Sequence, residues 1–264
     1  MRQLKKLILI EIRTFLKISI SFFFSFVFPI FLMLVIMMST GNPLIDDTYH
    51  LINKYVIISY VIGLVPLSLI SFPVSVASDF EYGIIERYKL FKISMIKVFI
   101  AKFLVNFIAI IIQIIVITLV ACFFKFKLPP IDIIMEFFFY YILITLNLFA
   151  LGWILACVLK NVSKVQIIGM TLMFVFLAVS GAFGEFENLP KGFLYVTYVV
   201  PTYDITNALS NLWLGYKVEL NPILIKYVIY DSILILLALL LGKTKFKRSN
   251  VRHIKRASKV KLDS

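Results

Sequence analysis

Hydrophobic residues in this chain run in long unbroken blocks with short polar interruptions, and no block shows the strict alternation of a barrel strand. A helix needs roughly 20 apolar residues to cross about 30 Å of hydrocarbon. The blocks at about 18–38, 55–77, 98–124, 133–159, 165–179 and 223–241 meet or approach that length and predict six helical spans. Residues 1–17 read differently. Leu4, Leu7, Ile8, Ile12 and Phe15 share one helical face, with Arg2, Lys6, Arg13 and Lys17 opposite, the pattern of an interfacial helix lying along a membrane surface. Glu11 falls on the apolar side between Leu7 and Phe15. It either snorkels to water or pairs with a basic residue of the stretch 78–102, tying two surface elements together.

Breakers and polar residues inside the blocks sharpen the expectation. Pro29 predicts a kink in the first span, and Gly63, Pro66 and Pro73 predict a bent or broken second one whose freed carbonyls face protein or a wet cavity instead of lipid. Asn106 and Gln113 in the third span, and Asn147 in the fourth, read as interhelical glue, with Gly152 allowing close packing. Asp231 lies near the middle of the sixth block. Such a group is costly there and is a functional candidate by default. Lys226 stands five residues earlier, about 140° round the helix, so the two should not pair directly.

The polar interruptions differ in kind. Ser39 to His50 is turn-rich, Lys125 to Asp132 is fixed by Pro129 and Pro130, and Lys160 to Lys164 is a tight turn. The long charged island from Ser78 to Lys102 predicts a surface helix from about Phe80, with Phe80, Ile84, Tyr88 and Phe91 as its apolar stripe. Residues 180–222 are too polar for one span and too apolar for a plain loop, which suits a helical hairpin dipping into the outer leaflet. The tail 243–264 is a basic stop-transfer and lipid-contacting run.

Composition makes the class firm: 61% of residues are hydrophobic, 26 are Phe and the mean hydropathy is +0.99, which excludes an ordinary soluble fold. The expected class is therefore an all-α integral membrane protein. A net charge of +13 would suit nucleic acid, but the basic residues flank spans without forming a basic domain, so no nucleic-acid partner is expected. Of the 27 basic residues, 21 fall on segments that six spans with both ends inside would place in the cytoplasm, as the positive-inside rule requires. The first block is of full span length behind an extended basic segment, so it is expected to stay as structure and not to be cleaved as a signal peptide. Cys122 and Cys157 lie near opposite ends of different spans, so no disulfide is expected. No phosphate-binding GxxxxGK[ST], HExxH or CxxC motif occurs, and His50 and His253 fall in different compartments. No catalytic, cofactor-binding or metal-binding residues are assigned, and any energy for transport must come from a partner or an ion gradient.

The stretch EYGIIERYKLFKIS resembles the cytoplasmic segment of type-2 ABC transporter permeases, where a Glu, a Gly two residues on, a second Glu and a basic residue precede a short helix. Glu81, Gly83, Glu86 and Arg87 match that spacing, while Ile84 stands where Thr is usual and Lys92 where Pro is usual. Ser180, Gly181, Leu189, Pro190, Pro201 and Tyr203 resemble the arrangement before the last span of the same family, with Ser210 where many members carry Arg. The resemblance covers nearly the whole chain. It implies a six-span subunit of a bacterial plasma-membrane exporter with both termini cytoplasmic, pairing with a second permease chain, like or unlike. A separate ABC ATPase subunit would use the ATP and dock on residues 81–97, with Glu81, Gly83, Glu86, Arg87, Tyr88 and Lys92 as coupling residues and Glu11 as the interfacial-helix contact. The 180–222 hairpin would form an outer gate carrying Gly181, Pro190, Pro201 and Tyr203. The implied cargo is amphiphilic or hydrophobic, with a drug or peptide antibiotic favoured. Two other classes stay open: a proton-coupled secondary transporter with Asp231 as carrier, and a non-transporting immunity or sensor subunit.

Overall fold

A computed structural model describes residues 2–16, 22–39, 46–124, 126, 128–180, 202–216, 218 and 224–237, and among these every regular element is helical. In chain order they are α1 (Arg2–Phe15), a wide π-helical turn Phe23–Val27 leading into α2 (Phe28–Ser39), and α3 (Asp46–Pro66). A second π turn, Leu67–Ser71, joins α3 to α4 (Phe72–Glu81). Then come α5 (Ile84–Leu90), α6 (Met95–Cys122), α7 (Ile131–Leu159), α8 (Val162–Val179), α9 (Thr202–Trp213) and α10 (224–237). Four helical runs are long and apolar enough to cross a membrane: Asn53–Glu81, Ile96–Cys122, Ile131–Leu159 and Val162–Val179. The first predicted span corresponds to a shorter apolar helix, Phe23–Val35, and the sixth is described only over 224–237.

The run Asn53–Glu81 is the axis of the bundle. Every residue from 56 to 77 is buried, and α2, α6, α7, α8 and α9 pack round it. It is distorted into a π turn between its prolines Pro66 and Pro73 but not broken. Pro73 has no N–H to offer the carbonyls four and five residues earlier, Leu69 and Ser68, and the π turn is where the ladder yields. Those two carbonyls meet glycines instead of lipid: a Cβ on Gly152 of α7 would collide with the Ser68 oxygen, and one on Gly169 of α8 with the Leu69 oxygen. The small residues let two helix backbones close on the freed oxygens, where Cα–H groups are the available weak donors.

The same device recurs beside α2. Pro29 withdraws its N–H from the Ser25 carbonyl, so the distortion sits in the turn before the proline, Phe23–Val27. Ser25 is buried and its carbonyl oxygen faces Gly63 of α3. Gln113 of α6 lies over the same glycine, donating from Nε2 to the Tyr60 carbonyl at 3.2 Å, and Tyr141 Oη donates to that carbonyl at 3.0 Å. Gln113 thus joins two helices, whereas Asn106 donates to Lys102 of its own helix at 2.9 Å.

At the far end α9 packs on α3 and α7. Thr202 donates to the Phe176 carbonyl at 3.2 Å, and Trp213 sits among Tyr60, Phe126 and Phe137 with ring centroids 5.0 to 6.5 Å away. Ser210 is buried and its hydroxyl donates back to the Thr206 carbonyl at 2.8 Å. Of the predicted outer gate, Gly181, Pro190 and Pro201 lie outside the described residues, as does the side chain of Tyr203. Neither Cys122, which is exposed, nor Cys157, which is buried, is in a disulfide.

The carbonyl contacts give a direct test. Gly169→Ala should lower stability by about 1–3 kcal/mol, because its Cβ must displace backbone. Thermal unfolding of the detergent-solubilised protein checks this. Met170→Leu, a volume-conserving change one residue on, serves as the control and should be nearly neutral.

Candidate coupling site

The charged island does not form one helix. α4 runs to Glu81, Tyr82 and Gly83 turn the chain, and α5 begins at Ile84. Gly83 adopts φ 65°, a left-handed conformation open to glycine, and a 3.6-residue period cannot continue through it. The expected stripe therefore fails at both ends. Phe80 belongs to α4, where Lys160 Nζ lies 5.1 Å from its ring centroid, and Phe91 is 72% exposed. Ile85 and Tyr88 form the inward face of α5.

The end of α5 is a Schellman cap: Ile93 N–H donates to the Tyr88 carbonyl at 2.8 Å and Lys92 N–H to that of Lys89 at 2.9 Å. Lys92, standing where Pro is usual, supplies the left-handed residue at φ 52°. The helix of this island is thus Ile84–Leu90, shorter than the expected 81–97, and Lys97 already belongs to α6, where its ammonium reaches Gln3 Oε1 at 3.2 Å.

Under α5 lies a buried ionic knot. Lys102 of α6, 1% exposed, places Nζ 2.7 Å from Glu11 Oε1 of α1 and 3.1 Å from Asp79 Oδ2 of α4. The same ammonium donates to Ser75 Oγ at 2.6 Å and to the Ser75 carbonyl at 3.2 Å, and Ser75 Oγ donates to Glu11 Oε2 at 3.1 Å. Glu11 takes the paired alternative and does not snorkel. Leu7, Tyr88, Val98 and Ala101 close an apolar cluster beside it, with Leu4, Ile8 and Ile84 at its edge. Burial, with Asp79 and Glu11 nearby, keeps the Tyr88 phenol protonated well above its ordinary range. The contact stripe of α1 is narrower than the sequence suggests. Ile12, about 100° on from Glu11, falls outside it and is exposed together with Leu9, Ile10 and Leu16.

Glu81 makes a second junction. Its carboxylate accepts from Val162 N–H at 2.6 Å and from Asn161 Nδ2 at 3.0 Å, capping the first turn of α8, while Asn161 Oδ1 accepts from Lys164 N–H. The two loops at this end of the bundle are therefore fastened together. Above this base, Tyr82, Leu90 and Phe91 are exposed apolar groups, with Arg87 and Lys92 exposed among them. Glu86 lies in the first turn of α5, where its charge suits the helix N-terminus. A fixed, partly apolar and partly basic ridge can seat another protein and move as one piece with α4.

Residues 2–213 match the ABC-2 type transporter family. The chain belongs to that family. No curated protein sequence matches it. It is accordingly a multi-pass membrane protein and the transmembrane part of an ABC transporter, a family whose membrane subunits work with an ATPase partner.

The structure gathers Glu81, Gly83, Glu86, Arg87, Tyr88 and Lys92 at one end and brings Glu11 beneath them. Asp231 is elsewhere, on the inward side of α10 beside Asn147 of α7. Sequence reasoning did not single out Lys102, Ser75, Asp79 or Asn161 as site residues. A signal for Lys102 exists: it shares the helical face of the small buried residues Val98, Ala101, Val105 and Ala109, an improbable place for an unpaired lysine.

Lys102→Met should destabilise by about 3–5 kcal/mol, since it strands two buried carboxylates, and adding Glu11→Met should cost less than the two single changes combined. Thermal unfolding of the three variants measures that coupling. Glu81→Ala removes the α8 cap and should cost about 1 kcal/mol, with faster amide exchange at residues 162–165 as its local signature.

Proposed function

We propose that this chain is the permease subunit of an ATP-driven exporter in a bacterial plasma membrane. Six spans leave both termini in the cytoplasm, and two permease chains pair. Each seats an ATPase subunit on α5, the helix that carries this reading: it leaves Leu90 81% exposed and Phe91 and Arg87 beside it, on a base that three helices lock through Lys102. Nucleotide binding in the partner shifts a two-state equilibrium of the spans, and a base held by buried charge conveys that shift without slack. The ATP is bound and hydrolysed by the partner alone. The cargo is amphiphilic or hydrophobic, a drug or peptide antibiotic, because the external segments are short and offer no aromatic platform for a sugar polymer.

Co-expression with a cognate ATPase subunit tests the docking. The wild-type chain should copurify with it in equal amounts, and Leu90→Asp with Arg87→Glu should reduce recovery at least tenfold while leaving the melting temperature of the permease unchanged, since both side chains face outward. Labelling of Lys92 by an impermeant amine reagent applied outside intact cells would overturn the reading.

A further inference from the structure

α10 presents apolar side chains outward, with Ile225, Val228, Ile229, Ile233, Leu236 and Leu237 exposed. Its inward face is set by Tyr227 and, one turn on, Asp231, which is 6% exposed. Neither Asp231 oxygen makes a hydrogen bond of good geometry. Beside it is Asn147 of α7, 1% exposed, close enough for its amide to face the carboxylate, but among the described residues neither its Oδ1 nor its Nδ2 makes a hydrogen bond of good geometry. The carboxylate and the amide thus face each other without one well-formed hydrogen bond, within a helical pair of spanning composition where buried polar groups are ordinarily well matched. Lys226 is turned toward the Tyr230 ring, 6.0 Å from its centroid, and Lys102 is engaged in the knot of α1, α4 and α6.

The donor inventory identifies what would complete this pair. Two carboxylate oxygens and one amide oxygen are acceptors, and a single NH2 group is the donor, so the site lacks N–H donors and positive charge together. A hard metal ion asks for six or more oxygens, which three atoms on two side chains do not supply. An anion is repelled, and a neutral hydroxyl leaves the carboxylate uncompensated. A protonated amine provides both missing elements, and its apolar remainder would lie against the aliphatic surface of α10. We propose that Asp231 and Asn147 form an intramembrane subsite for the ammonium group of an amphiphilic amine, reached when α10 parts from α7. As a substrate site it rests on the exporter reading and narrows the cargo to cationic amphiphiles; as a binding site it stands without the ATPase.

The experiment uses the full chain alone in nanodiscs, with radiolabelled dodecylamine as probe and empty nanodiscs subtracted. Saturable binding is expected, displaced by unlabelled dodecylamine but not by an equal concentration of dodecanol or by sodium. Asp231→Asn, nearly isosteric, and Asn147→Leu should each weaken it tenfold or more, and Asp231→Glu should stay within about threefold. Absence of saturable binding to the wild-type chain, equal displacement by dodecanol, or an Asp231→Asn variant within twofold of wild type would each overturn the subsite, the last two pointing to nonspecific partition or to a neutral structural pair. Since no ATPase is present, loss of docking at α5 would leave this result untouched, and loss of amine binding would leave docking untouched.

Discussion

Backbone carbonyls that lose their helical donor cannot turn to water inside an apolar bundle, and the packing of this protein follows from where they turn instead. Pro73 strips Leu69 and Ser68 of their partners, Pro29 does the same to Ser25, and each freed oxygen is met by a glycine of another helix. The glycines fix the depth at which α7 and α8 approach the central run Asn53–Glu81, and Gly63 fixes α2. Close approach brings Gln113 and Tyr141 within reach of the Tyr60 carbonyl, so polar glue and small-residue packing reinforce one another at one level of the bundle.

From that axis the order passes to the loop-bearing end through α4. Its last turns carry Ser75, Asp79 and Glu81, which reach α1, α6 and α8 respectively through Glu11, Lys102 and the α8 cap. A buried ion pair is weak evidence for net stability, because desolvation consumes much of the Coulombic gain. Its value here is geometric. Four donor and acceptor groups must be matched at once, so few relative positions of the three helices satisfy Lys102, and α5 inherits that definition across a two-residue turn.

The length of the apolar blocks made four spans legible, because long apolar runs admit one solution, and the bounds of α7 and α8 follow the blocks within a few residues. Local chemistry that depends on one φ angle was not legible to the same degree. Gly83 is visible in the sequence as a motif residue, yet its left-handed turn divides the stripe that hydrophobic spacing alone draws from Phe80 to Phe91. Glu11 was legible as an anomaly, a charge on an apolar face, but its partner was not, since pairing with Lys102 joins positions 91 residues apart and is decided by tertiary packing. Glu81 matched a family spacing, while its bond to Val162 N–H is a relation between two loops that no local pattern encodes.

The two buried carboxyl sites of this chain sharpen one another. Glu11 and Asp79 stand where an ammonium, a hydroxyl and a backbone carbonyl leave no donor of Lys102 idle. Asp231 and Asn147 stand in comparable burial facing each other, with no hydrogen bond of good geometry to any of their side-chain polar atoms among the described residues. A lysine on the inward face of α10 could give Asp231 the ammonium that Lys102 gives Glu11 and Asp79. Leaving an acceptor-rich pair incomplete on a helix whose opposite face is apolar and exposed is consistent with a partner that arrives and departs, while the complete one holds together the part that must stay rigid.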